Sequence, residues 1–154
     1  MMSVFIGRFH PVFVHLPIGI LLFAALLFFA AKKQKFAAVS TAVAPALAVG
    51  SFFSILSCIT GYLLSISDAY NESIVFKHQW LGIATAITSI VCYIAYQKKF
   101  KYAGALIVVL TALIIITGHN GGNLTHGEDY LTASLSNTKS DKKVIANINE
   151  AIVY

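Results

Sequence analysis

The sequence predicts an all-α polytopic membrane protein, a four-helix transmembrane bundle with both termini outside, and three observations predict it. Of its 154 residues 58% are hydrophobic and only 11% are charged, whereas a soluble domain carries charge on about a quarter of its residues. Four uncharged or nearly uncharged runs, at about 11–31, 37–67, 75–96 and 102–118, can each cross ~30 Å of hydrocarbon at ~1.5 Å per residue. The lysines gather between runs one and two and between runs three and four, so alternate run ends carry the charge, as an up-and-down bundle requires.

The first span opens at Pro11, where a missing N–H costs nothing, and Pro17 should bend it about two turns in. A single arginine precedes it, two prolines lie near its start and no small-residue cleavage site comes before the lysines, so it reads as a retained helix and not as a secretory signal. The second span holds Pro45, Gly50 and Gly61 with Ser51, Ser54, Ser57 and Thr60, small residues that let neighbouring helices approach closely. The third opens with Lys77, His78, Gln79 and Trp80; Trp80 and Tyr62 suit the outer interface, Tyr93 and Tyr96 the inner one. The fourth closes into GHNGGNLTHGEDY, too rich in glycine and acids to remain in lipid. Residues 1–132 thus form the transmembrane domain and 133–154 a polar periplasmic tail or linker, in which Val144, Ile145, Ile148 and Ile152 have the spacing of one short amphipathic helix. The sequence shows no internal repeat.

Orientation follows from the basic residues. Lys32, Lys33 and Lys35 in one loop and Lys98, Lys99 and Lys101 in the other mark the cytoplasmic side, against only Arg8 and Lys77 near the opposite membrane ends. The chain is therefore expected in a bacterial inner membrane with its N- and C-termini periplasmic. The net charge of +5 is explained by those loops and forms no basic stripe with interleaved aromatics, so nucleic acid is not an expected partner. Cys58 and Cys92 fall inside helices as small packing residues, and no CxxCH motif offers covalent haem attachment. No nucleophile with a base, phosphate loop or paired catalytic carboxylates supports hydrolase or transferase chemistry.

All five histidines, His10, His15, His78, His119 and His126, fall at the periplasmic end of this topology. Ionisable groups gathered at one depth of a membrane point to function, and neutral imidazoles suit haem iron. His15 and His78 lie ~6 Å and ~5 Å into the first and third helices, which face each other diagonally in an up-and-down bundle; they are the preferred axial pair for one haem b. Depth alone also permits His15 with His119. His10 points ~140° away from His15 on a regular helix, so His10 with His119 or His126 makes either a second haem site or a polar shell around the first. Arg8, Lys77 and Trp80 are the candidate propionate partners, and Phe9, Phe13, Phe53 and Phe76 the candidate walls. Glu128 and Asp129 beside His126 keep a divalent-metal site among the alternatives.

The segments RFHPVFVHLPIGILLFA at 8–24, KHQWLGI at 77–83 and TGHNGGNLTHGEDYLT at 117–132 resemble the membrane domain of predicted cytochrome proteins from Bacteroidota and Planctomycetota, within an uncharacterised superfamily of small four-helix membrane proteins. The resemblance covers roughly residues 7–132. Its pattern falls here on His10, Pro11, His15, Pro17, His78, Trp80, Leu81, Gly82, Gly118, His119, Gly121, Gly122, His126 and Gly127. It implies a haem-b-type membrane protein, often followed by a periplasmic c-type cytochrome domain; this sequence stops before any CxxCH, leaving a separate subunit, a short form or a truncated chain as readings.

The expected function is a small b-type cytochrome, an electron-transfer protein or redox-complex subunit that passes electrons from quinol or another membrane donor to a periplasmic c-type cytochrome or other redox partner. Homo- or hetero-oligomers would use the small-residue side of the second helix. The competing readings are a non-redox anchor or assembly subunit for a periplasmic partner and a histidine-based metal site or transporter.

Overall fold

In the computed structural model, which describes residues 2–66 and 72–127, the chain is helical nearly throughout: α1 (Met2–Gly7), α2 (His10–Ala30), α3 (Ser40–Ser65), α4 (Glu72–Gln97) and α5 (Ala103–His126), with a 3-10 turn at Gln34–Val39. No strand occurs among the described residues. The tail at 133–154 with its expected amphipathic helix, and Glu128 and Asp129, lie outside them. Four stretches are long and apolar enough to cross a membrane: Val4–Ala30, Gln34–Ser65, Glu72–Gln97 and Ala103–His126.

Two boundaries differ from expectation. Pro11 does stand in the first turn of α2, but α1 and the turn at Arg8 and Phe9 already run helically before it, so the apolar span starts near Val4 and His10 lies well inside it. At the other terminus α5 continues through Gly118, Gly121 and Gly122 to His126 and ends only at Gly127, whose φ of 92° a side chain would resist. Glycine costs roughly 1 kcal/mol in a helix, yet the helix persists here, where Gly121 stands against the His78 ring of α4.

The helices form a closed ring in which α2 packs on α3, α3 on α4, α4 on α5 and α5 back on α2, leaving α2 and α4 across the diagonal. Toward the lysine-bearing loops the interior is filled by Leu21, Ala24, Val43, Leu47, Cys92, Ile107, Leu110 and Ile114. Gly50 makes this half tight, since a Cβ there would come within 2.5 Å of the Leu21 side chain. Lipid-facing surfaces keep large apolar residues such as Phe23, Leu26, Phe52, Ile87 and Ile115 exposed, as a bilayer allows. Tyr96 ties α4 to the start of α3 near the lysine loops by donating its hydroxyl to the Ser40 carbonyl at 2.7 Å.

Candidate functional site

The opposite end is hollow. Between all four long helices lies a cavity of about 840 Å³, inside the ~300–1,000 Å³ range of cofactor sites. Aliphatic residues such as Val14, Ile18, Leu21 and Ile83 make most of its wall, interrupted by small residues, Ser54, Ser57, Gly61, Gly82, Gly118 and Gly122, and by His10, His15, His78 and His126.

Two of these imidazoles meet across the diagonal. The rings of His10 on α2 and His78 on α4 have centroids 6.3 Å apart and planes at 82°. His10 is held by α3: its Nδ1–H donates to the Ser57 carbonyl at 3.0 Å, with Thr60 Oγ1 at 3.4 Å from the same nitrogen. His78 is held by α5, its Nδ1–H donating to the Thr117 carbonyl at 3.2 Å. The Thr117 hydroxyl in turn lies 3.1 Å from the Thr85 hydroxyl one and a half to two turns further along α4. A carbonyl oxygen can only accept, so each ring carries its proton on Nδ1, and in the neutral tautomer each Nε2 keeps a free lone pair. That is how metal-ligating histidines are oriented by their outer partners.

Two glycines make room for the rings. A Cβ on Gly61 would lie 2.9 Å from His10 Cε1, and one on Gly121 would lie 3.0 Å from His78 Cε1. In each case the glycine follows, by one helical turn on the same helix, the residue whose carbonyl the imidazole uses: Ser57 before Gly61, Thr117 before Gly121. The hairpins α2–α3 and α4–α5 therefore present the same constellation twice, a histidine on the first helix and a carbonyl with a glycine on the second. No repeat is visible in the sequence because only these few positions are duplicated. The readable trace was a small hydroxyl residue four positions before a glycine, SCITG in one span and TGHNG in another.

The remaining expectations sort as follows. His15 lines the cavity but is largely exposed, and its Nδ1 bonds to the Pro11 carbonyl of its own helix; the ring that faces His78 is that of His10. The preference for His15 came from starting the helix at Pro11, which left His10 outside the membrane. His126 reaches the cavity rim from the last turn of α5, beside Thr125. His119 is exposed and does not line the cavity, nor do Arg8, Lys77 or Trp80, all exposed on the outer surface. None of Phe9, Phe13, Phe53 and Phe76 lines it either; Phe76 instead packs edge-on against Trp80, with ring centroids 6.1 Å apart. Gly121 and Gly122, expected to make a turn, serve close approach within a continuous helix.

Among the described residues no three His, Cys, Asp or Glu side chains gather into a metal-ion site; of the four histidines that line the cavity, His10 and His78 are the two whose rings meet. Two imidazoles sharing one metal at ~2 Å from each nitrogen would have ring centroids about 6 Å apart; the 6.3 Å between His10 and His78 permits that, as it does a direct edge-on ring contact. Two imidazoles anchored through Nδ1, a cavity of about 840 Å³ and glycines beside both rings are compatible with a haem. Comparison with protein-family models, with curated proteins and with solved structures finds no match to this chain.

Proposed function

We propose that this protein is a small b-type cytochrome in which His10 and His78 are the axial ligands of one haem, and that it carries electrons near one face of a bacterial inner membrane. The observation that carries the reading is the pair itself: two imidazoles across the bundle diagonal, each with Nδ1 bonded to a main-chain carbonyl and Nε2 left for a ligand. A haem held there by His10 and His78 would supply a one-electron iron couple, and two histidine ligands would suit electron transfer more than oxygen chemistry.

The chain's own residues do the rest. Ser57 and Thr117 fix ring tautomer and direction through their carbonyls, Gly61 and Gly121 admit the rings, and the aliphatic wall excludes water. The lysine loops 32–35 and 98–101 argue for a cytoplasmic placement of the closed end. On that orientation the histidine end and both termini are periplasmic, where a c-type cytochrome or another redox partner accepts electrons delivered by quinol or another membrane donor. The resemblance of the three histidine-bearing segments to membrane domains of predicted cytochromes agrees with this role.

The test is haem quantification and a reduced-minus-oxidised visible spectrum of the detergent-purified protein made with ample haem. One haem per chain with a sharp b-type α band is expected. Absence of visible absorption would overturn the reading and favour the non-redox anchor.

A further inference from the structure

At the lysine end, away from the histidines, lies a second cavity of about 660 Å³. It is walled by the end of α2, the α4–α5 turn and the first turns of α5, and lined by Phe28, Phe29, Lys32, Lys99, Lys101 and Val108 among others. Three lysines are among its lining residues and no carboxylate is. Among the described residues the sequence has a single carboxylate, Glu72, at the start of α4 and so at the far end of the bundle. Among the described residues, no carboxylate offers these lysines a counter-charge.

Each of the three has an aromatic or backbone feature of its own. Lys32 Nζ lies 5.2 Å from the ring centroids of both Phe28 and Phe29, beside Gly104 of α5. Lys99 adopts a φ of 51° in the turn that closes α4, with the Phe100 N–H donating to the Ala95 carbonyl at 2.9 Å. Glycine is the low-cost residue at such a position, and a side chain there costs roughly 1 kcal/mol. The chain keeps a lysine at a place where backbone preference alone selects glycine. Lys101 stands over Tyr102 at 4.7 Å.

We propose that this cavity binds the phosphate head of an anionic phospholipid in the leaflet next to the lysine loops. Charge complementarity selects the anion, since basic pockets between transmembrane helices on this side recognise phospholipid head groups. The apolar rim selects a lipid over a soluble phosphate: Val108 and Phe29 are exposed toward the hydrocarbon, so the first methylenes of an acyl chain continue from the ammonium groups along α5 and α2. The proposal is independent of the haem reading and rests only on the helices spanning the membrane.

The test is native mass spectrometry of the detergent-purified full chain after equilibration with mixed vesicles of phosphatidylglycerol and phosphatidylcholine in equal amounts, for the wild type, Lys32→Gln, Lys101→Gln and Lys99→Gly. Preferential retention of phosphatidylglycerol is expected, falling about fivefold for each lysine removed. Lys99→Gly separates the proposal from a purely structural role, because it should relax the turn and keep or raise the melting temperature while still losing lipid. Equal retention of the two lipids, unchanged retention in all three variants, or displacement of the lipid by millimolar inorganic phosphate would each overturn it.

Discussion

The two halves of this bundle are built from the same four helices but use small residues oppositely. In the lysine half Gly50 lets Leu21 press against α3, and the interior closes around Leu47, Ile107 and Leu110. In the histidine half Gly61 and Gly121 admit imidazole rings, and a cavity of about 840 Å³ remains. A small residue in a transmembrane helix thus has no meaning of its own; the side chain on the facing helix decides whether it seals a core or opens a site. The closed half sets the helix positions that the open half needs in order to hold two rings at a fixed separation.

Substitutions can break this contrast in graded steps. Gly61→Val or Gly121→Val drives a side chain into the space of an imidazole and should weaken haem retention by about 100-fold, from an overpacking cost of up to ~3 kcal/mol. The duplicated geometry predicts similar losses for the two variants; haem titration of protein that still melts cooperatively measures them. Leu47→Ala, in the closed half, should cost about 2 kcal/mol of stability, the low end of the soluble-core range because lipid, not water, surrounds the bundle. A thermal melt reads that loss, and the folded fraction should keep its full haem content. Removing the Thr85 hydroxyl with Thr85→Val takes away the 3.1 Å contact to Thr117; a destabilisation near 1 kcal/mol is expected in the same melt. Gly118→Ala is the mildest: it should not destabilise the bundle and should gain up to about 1 kcal/mol in the melt, since it lies inside α5 and nothing is within 4 Å of a Cβ there. A large effect of Gly118→Ala on haem content would show that the cavity is narrower than described.

Much of the architecture was legible in the sequence. The four apolar runs coincide with the four spans, and the alternation of lysine clusters matches the up-and-down order of the helices. The boundaries were not: Pro11 and Gly121–Gly122 carry the local signals of a helix start and a helix break, yet the chain is already helical in α1 before Pro11, and α5 runs on through both glycines to His126. That error of a few residues at Pro11 placed His10 outside the span and made His15 the deeper ligand. For His78 the shift was smaller: α4 begins at Glu72, a few residues before the start near 75 that the apolar run indicates, and His78 stays in its second turn. The carbonyls of Ser57 and Thr117 were invisible in principle to a search for chemical side chains, since any residue supplies a carbonyl and only the fold aims it.

The central claim is tested most directly by reduced-minus-oxidised spectra of His10→Ala, His15→Ala and His78→Ala, purified alongside the wild type. The account predicts that the α band disappears in His10→Ala and His78→Ala and survives in His15→Ala. A band that survives in His10→Ala and vanishes in His15→Ala would contradict it.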